Sequence, residues 1–280
     1  MSRFLVTGAG GFIGRTLVRR LQAHGHEIIA PVRQELDLLT CSADDLAAWI
    51  ARQGPTHCLH AAWYTNHADY LTHEVNRDWA GASMRLADAF RRAGGQRFIG
   101  LGTCLEYDVR NAGGPCREDT TPRGGETLYA RSKLEVLDAL EAGGADFAWA
   151  RVFFVYGPGD RAARLVPAML EKFAAGQFVG PTFGGLRRDY IHVDDLADQI
   201  VRIANSTVRG PINTGTGEAP ALSEIYAAGA EAFGRPDLAE ANEAVGDQPL
   251  LIQADMSRFR HAVGDPSARD IRQGLRDLVA

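Results

Sequence analysis

This sequence predicts an α/β fold, a doubly wound parallel sheet with a smaller C-terminal substrate lobe. Three observations carry that prediction. Short apolar runs alternate with stretches at helical spacing from Arg3 to Tyr156. A glycine loop, Thr7-Gly8-Ala9-Gly10-Gly11-Phe12-Ile13-Gly14, follows the first run and opens the first helix. Tyr129-Ala130-Arg131-Ser132-Lys133 then falls after the fourth strand-helix repeat.

The elements follow in order. Arg3 to Thr7 reads as a strand, Phe12 to Ala23 as a helix and Glu27 to Val32 as a second strand, together a βαβ unit. Leu46 to Arg52 is helical and ends at Gly54-Pro55, and Cys58 to Ala62 is a buried strand. Trp79 to Arg92 is a long helix stopped by Gly94-Gly95, and Arg97 to Leu101 is the next strand, leading to Gly102-Thr103. Leu128 to Glu141 is a helix closed by Gly143-Gly144. Phe147 to Val155 is nearly continuous and apolar, as in a strand buried on both faces. Gly157-Pro158-Gly159 breaks the pattern, and short pieces around Gly176, Gly180-Pro181 and Gly184-Gly185 follow. Asp194 to Ala204, Ser223 to Phe233 and Ile271 to Val279 read as helices, and Pro211 to Thr214 as a strand. The expected division gives residues 1–156 and 189–210 to a dinucleotide-binding domain. Residues 157–188 and 211–280 form the lobe, built over the carboxyl edge of the sheet.

Composition narrows the function. The 280 residues are 45% hydrophobic and 23% charged, ordinary for a soluble globular protein. A formal charge of −5 supplies no basic field for nucleic acid or an anionic membrane, so neither is an expected partner. An anionic substrate would need local arginines. Cys41, Cys58, Cys104 and Cys116 lack metal-ligand spacing and read as reduced thiols. The eight histidines show no paired metal motif, so no metal is expected. No signal peptide stands out, and Phe4-Leu5-Val6 is too short to span a membrane. A cytoplasmic location is the expectation.

The glycine loop suits a dinucleotide. Gly8 permits the tight turn, Gly11 lets the backbone approach a pyrophosphate, and Gly14 allows close helix-strand packing. The helix behind it points N-terminal amides at phosphate. Sites for NAD carry an acidic residue at the end of the second strand. Here that strand ends Pro31-Val32-Arg33, with Glu35 past the expected position. A guanidinium at Arg33 suits a 2′-phosphate, with Arg15 as a second candidate, so NADP(H) is favoured over NAD(H).

Tyr129 and Lys133 stand one helical turn apart on one face. A free phenol titrates near ~10, too high for proton exchange at neutral pH. A neighbouring ammonium and a positive nicotinamide favour phenolate, which makes Tyr129 a candidate general acid/base and gives Lys133 the task of lowering its pKa. Thr103 closes its strand on the edge where doubly wound folds bind ligands, and its hydroxyl is placed for a reacting oxygen. Cys104 reads as packing or pocket wall, and Glu106 as either a contact to a sugar hydroxyl or a solvated side chain.

These residues resemble the extended short-chain dehydrogenase/reductase family, with its Rossmann fold. The resemblance covers nearly the whole chain. Its marks are the glycine loop, His60-Ala61-Ala62, Asn76, Thr103, Tyr129 with Lys133, Arg151 to Gly159, Arg188 to Asp195 and Ile212 to Gly217. It implies a catalytic triad of Thr103, Tyr129 and Lys133. It implies pyrophosphate contacts at Gly8, Gly11, Phe12, Ile13 and Gly14, an adenine pair at Asp37 and Leu38, a cofactor-lining strand end at Ala61 and Ala62, and Phe153 near the nicotinamide. Sugar 4,6-dehydratases carry an Asp-Glu pair after the threonine. Cys104 and Leu105 stand there, so dehydration lacks its acid and base. Gly102 to Tyr107, Arg151 to Phe154 and Leu186 to Tyr190 are similar to reductases of nucleotide-linked 4-keto-6-deoxy sugars, those making 6-deoxy-talose among them.

The implied activity is NAD(P)H-dependent reduction at C4 of such a nucleotide sugar. Tyr64 and Asn66 are candidates to shape the sugar pocket, with Cys104 and Glu106 beside them. Phe154 replaces the family's usual Asn, and the usual arginine before Gly246-Asp247 is absent, so the diphosphate would turn to Arg164 or Arg188. Two alternatives are a 4-epimerase that recycles tightly held NAD and a non-catalytic dinucleotide sensor. The resemblance also implies a homodimer through the two long helices.

Overall fold

The structure, a computed structural model, describes residues 1–280. In chain order the elements are β1 (Arg3–Thr7), α1 (Phe12–Ala23), β2 (Glu27–Ile29), α2 (Ala43–Gln53), β3 (His57–His60), α3 (Val75–Arg92), β4 (Arg97–Thr103), α4 (Leu128–Ala142), β5 (Phe147–Val152), β6 (Phe154–Tyr156), α5 (Leu165–Ala174), β7 (Arg187–Arg188), β8 (Tyr190–His192), α6 (Val193–Ala204), β9 (Gly210–Thr214), α7 (Leu222–Ala232), β10 (Leu251–Ile252), α8 (Ser257–Ala262) and α9 (Ile271–Val279).

A six-stranded sheet runs in the order β2-β1-β3-β4-β5-β9, with β1 parallel to both β2 and β3. The chain leaves β1 for β2 and then returns past β1 to β3. The loop after β1 therefore sits at the switch point, where doubly wound sheets receive ligands. No helix is long and apolar enough to cross a membrane.

Local chemistry sets the ends of the helices. Ser42 accepts the Asp45 N–H at the start of α2, and Gly54, at φ 61°, ends it in the left-handed region. Thr127 accepts the Ala130 N–H at the start of α4. Two strands differ from the sequence reading. β2 stops at Ile29 rather than Val32, because Pro31 brings no N–H to a ladder. Val32 N–H turns instead to the Glu35 carboxylate at 3.1 Å. The single strand expected over Phe147 to Val155 is two. Phe153 N–H binds Thr214 O and Phe154 N–H binds Asp189 O, so the chain changes partner there, and β6 pairs with β8.

Two compact units result. The first comprises Met1–Asp108, Arg123–Arg151 and Ala197–Ile212. Its core joins Leu5, Leu46, Ile50, Phe90, Phe98, Leu137 and Trp149, with α3 packed on α4. The second comprises Val109–Pro122, Val152–Leu196 and Asn213–Ala280, so it takes residues 109–122, 152–156 and 189–196, which the sequence reading placed in the first domain, and leaves 211–212 to the first unit. Its core joins Tyr156, Met169, Phe173, Ile225 and Leu275. There the buried Asp189 carboxylate accepts N–H groups from Thr216, Gly217 and Ala254 and the Thr216 hydroxyl. One side chain thus ties β8 to two loops.

His60 closes β3 and stays neutral. Ser83 donates its hydroxyl to Trp79 O, so it accepts from His60 Nε2–H at 2.8 Å. His60 Nδ1 then accepts the Thr7 hydroxyl at 2.7 Å. Burial pushes the His60 pKa down to about 3, helped by the Lys133 charge. An unfolded histidine titrates near ~6.5, so in that window the folded chain binds fewer protons. Stability from this group is full above the unfolded value and falls as pH drops toward the folded one, by up to ~1.4 kcal/mol per pH unit. His60→Gln should flatten the acid-side slope, as read by urea unfolding at about pH 7 and about pH 5. Equal slopes in both proteins would show that His60 does not titrate this way.

Candidate active site

Thr103 is the last residue of β4, and its position depends on what lies under the strand. Gly100 and Gly102 leave a groove that the Trp149 ring of β5 fills. A Cβ on Gly102 would stand 2.2 Å from Trp149 Nε1 and 2.5 Å from Glu106 Oε1. Past Thr103 the chain makes one 3₁₀ turn, Cys104–Glu106. The Glu106 carboxylate, 0% exposed, accepts Thr103 N–H at 2.8 Å, Trp149 Nε1–H at 3.0 Å and Arg151 Nε–H at 2.8 Å. Arg151 is itself 1% exposed, with its guanidinium 4.3 Å from the centre of the Tyr107 ring. Glu106 is therefore neither solvated nor aimed at a sugar hydroxyl. It holds the turn that presents Thr103.

The α4 helix brings Tyr129 and Lys133 to the same place. Tyr129 N–H donates to Leu71 O at 3.1 Å, and its ring stands edge-on to Tyr70 and Trp63. Thr103, at the end of β4, is among the groups that act on its phenol. Lys133 Nζ donates to Leu101 O at 2.7 Å and lies 3.6 Å from the Trp63 ring centre. Burial lowers the Lys133 pKa to about 7, against the opposing charge of Glu106. The Tyr129 phenol moves the other way. Burial raises it above its ordinary value, Tyr70, Glu106 and Cys104 add to the rise, and Thr103 opposes it. The expectation that Lys133 lowers this phenol is thus corrected, because the ammonium lies over indole, 5.9 Å from the centre of the phenol ring, and burial dominates. Tyr129 holds its proton, the state a general acid needs.

A cavity of about 400 Å³ opens at the carboxyl end of β1. Its walls include Gly8 to Gly11, Pro31 to Arg33, Asp37, Leu38, Ala62, Trp63 and Trp79. Gly8, at φ +71°, packs so closely on β3 that a Cβ would stand 2.7 Å from Ala62 N. A Cβ on Gly14 would stand 2.0 Å from Gly8 O, so α1 is seated directly on the loop. Gly10 faces open space. The α1 N-terminus has no side-chain cap and no acidic residue in its first turn, which suits an anion. These features fit a dinucleotide pyrophosphate.

The NAD dependent epimerase/dehydratase family matches residues 4–215. The chain belongs to that family. As a member it is an NAD(P)-dependent enzyme. The dTDP-6-deoxy-L-talose 4-dehydrogenase (NAD(P)(+)) of Kitasatospora kifunensis is 27% identical over 306 aligned positions, covering 99% of this chain and 94% of that protein. The UDP-glucose 4-epimerase of Mycolicibacterium smegmatis is 29% identical over 311 positions, covering 99% and 97%. The solved UDP-glucose 4-epimerase of Thermus thermophilus, in complex with NAD, is similar in fold at a TM-score of 0.80 and 23% identity, covering 99% and 97%.

In this epimerase/dehydratase family member the cavity unites Gly8, Gly11, Arg33, Asp37, Leu38 and Ala62. Phe12, Ile13 and Gly14 form the first turn of α1 and do not line it, and Ala61 packs behind Gly8. Arg33 is 70% exposed and donates Nε–H to Asp37 at 3.0 Å. The Leu39 N–H, then Arg33, hold the Asp37 carboxyl below its ordinary range. Tyr64 donates to Asp69, and Asn66 to Tyr64, in a loop cluster outside the cavity walls. Cys104 is buried and packs. Phe153, Arg164 and Arg188 belong to the second unit. Phe153 is buried, while the Arg164 and Arg188 charges both act on the Tyr190 phenol. Arg188 Nη1 donates to Arg187 O and Leu250 O.

Sequence reasoning missed the role of Trp149, which the alternate glycines of β4 signalled. It missed Trp63 as well, which lines the cavity and lies under the Lys133 ammonium. Gly102→Ala should cost roughly 1–3 kcal/mol of unfolding free energy, because the groove has no room. Gly81→Ala, whose Cβ meets only the Arg85 tip at 3.5 Å, should be neutral or slightly stabilising. Glu106→Gln leaves the Arg151 guanidinium without its carboxylate and should cost about 3–5 kcal/mol. Urea unfolding of the three variants checks the order, and a Glu106→Gln protein as stable as the parent would refute the anchor.

Proposed function

We propose that the protein reduces the C4 keto group of a nucleotide-diphospho-4-keto-6-deoxy-hexose, with NADPH preferred to NADH. One observation carries the reading: α4 sets Tyr129 and Lys133 one turn apart beside the Thr103 end of β4, and Lys133 rests on Trp63, a wall of the dinucleotide cavity. The talose 4-dehydrogenase relative supports the choice of a 4-keto sugar. Cys104 and Leu105, where dehydratases carry Asp-Glu, point away from water elimination.

Gly8 and Gly11 would hold the pyrophosphate, Asp37 and Leu38 the adenine side, and Arg33 the 2′-phosphate. When bound, the reduced nicotinamide supplies a hydride to the carbonyl carbon. The Thr103 hydroxyl and the Tyr129 phenol hold the keto oxygen. As charge develops on that oxygen, Tyr129 gives up its proton, and the two transfers together convert the ketone to an alcohol. The raised phenol pKa keeps that proton in place at neutral pH. Lys133, charged below about 7, adds a positive charge whose pull on the phenolate left behind is secondary to burial.

The arginine pair at Tyr190, Arg164 and Arg188, is assigned to the diphosphate, and Tyr64 and Asn66 to the sugar. Residues 1–156 and 189–210 carry the dinucleotide role, and 157–188 with 211–280 the substrate role. An apolar cleft between α3 and α4, walled by Met84, Ala87, Val136 and Leu140, supports a homodimer through these helices. A second reading is a 4-epimerase with the same three residues and retained NAD, which the Mycolicibacterium relative favours.

The decisive experiment follows nicotinamide oxidation with NADPH, then NADH, against a dTDP-4-keto-6-deoxy-hexose. Oxidation establishes the ketoreductase. Interconversion of sugars without oxidation, by protein that carries NAD through purification, establishes the epimerase. Tyr129→Phe should lower turnover about 10²–10⁴-fold. Arg33→Ala should reduce the NADPH:NADH preference by roughly tenfold or more, the worth of a charged hydrogen bond. An unchanged ratio would remove Arg33 from the 2′-phosphate.

A further inference from the structure

We propose that Trp63 is a positioning residue of the acid/base pair: its indole face carries the Lys133 ammonium, and Asn76 fixes the plane of that face. The inference rests on the reading of Tyr129 and Lys133 as that pair.

Lys133 is 4% exposed, and a buried ammonium needs compensation for lost water. It has three N–H donors, and one goes to Leu101 O. The nearest carboxylate, Glu106, is already engaged with Thr103, Trp149 and Arg151. The indole of Trp63 lies 3.6 Å away, and indole is the strongest cation–π face among the side chains. The Trp149 ring, on β5, is farther off at 5.7 Å.

The indole is itself held. Trp63 Nε1–H donates to Asn76 Oδ1 at 2.8 Å. Asn76 is fully buried, and its Nδ2 donates to Tyr70 O at 2.7 Å and His73 O at 2.8 Å. A flipped amide would lose all three bonds, so the amide orientation is determined. Trp63 also stands edge-on to the Tyr129 ring, at 6.2 Å, and lines the dinucleotide cavity. One side chain therefore touches the acid, the cation and the cofactor wall.

The titratable groups that face Lys133 are Tyr129 on its own helix, Glu106 after β4 and His60 on β3. His60 is neutral at working pH, and Glu106 is paired with Arg151. The charged state of Lys133 thus leans on the Trp63 face together with the Glu106 charge.

The chain has two lysines, Lys133 and the exposed Lys172 of α5, so lysine-labelled NMR gives one reporter and one internal control. In the parent protein the Lys133 signal should titrate near about 7. Trp63→Leu should lower that midpoint by roughly one pH unit, Trp63→Phe by less, and neither should move Lys172. The high-pH loss of turnover should shift down with the midpoint in Trp63→Leu and be restored largely by Trp63→Phe. If Trp63→Leu does not fold, fluorinated tryptophan keeps the shape and drains the ring face, and the midpoint should fall with each added fluorine. A Lys133 midpoint that stays or rises overturns the proposal. The titration is read on the free protein, so it decides the Trp63–Lys133 contact whichever sugar is the substrate.

Discussion

A carboxylate with no exposed surface, that of Glu106, holds the reactive end of β4 in shape. Three donors converge on it from three places: the backbone of Thr103, the indole of Trp149 and the guanidinium of Arg151. None of these can shift alone. Gly102 is glycine because Trp149 and Glu106 occupy the space of its side chain. The direction of the Thr103 hydroxyl follows from the turn that Glu106 closes, while Tyr129 is placed by α4 and by its ring contacts with Tyr70 and Trp63. A buried ion pair of this kind is weak grounds for stability, since a packed apolar replacement often serves as well. Its worth here lies in geometry, because two charges and an indole locate one backbone N–H.

Burial sets the proton affinities of the site. Burial dominates at both Tyr129 and Lys133, and it acts in opposite senses on an acid and a base. The phenol is driven toward its protonated form and the ammonium toward its neutral one. The two groups, close in proton affinity when free, are therefore driven apart. Closing the gap requires stabilised positive charge near the phenol. Lys133 is one source, and its contact with Trp63 sets how much of that charge survives burial.

Much of the fold was legible in the sequence, since the alternation of strand and helix is a pattern of apolar spacing, and spacing is local. α9 runs over Ile271 to Val279 as read, and α1 over Phe12 to Ala23. The failures have physical causes. β2 ended early at a proline, which spacing alone does not weigh. The apolar run from Phe147 looked continuous because a strand that changes sheets stays buried on both sides of the change. Among the site residues, Thr103, Tyr129 and Lys133 were legible from order and helical period. Glu106 was not, because a carboxylate in a loop reads as solvated until its three donors are seen together. Trp63 was not, because an aromatic ring beside a strand end packs far more often than it holds a cation.

Two turns at the carboxyl ends of β1 and β4 show how one sheet edge makes two different kinds of site. After β1 the chain enters a helix whose first turn has no side-chain cap, and Gly10 leaves that side open. Its amides remain available to an anion from outside. After β4 the chain makes a turn with a full capping box, where Glu106 takes the Thr103 N–H and the Thr103 hydroxyl takes the Leu105 N–H. That turn supplies its own anion and so has no use for a phosphate. What it presents instead is an oriented hydroxyl. A strand-end turn is therefore open to an outside anion after β1 and closed by its own side chains after β4. The difference is two side chains: a glycine caps α1, and a threonine with a glutamate three residues on caps the turn after β4.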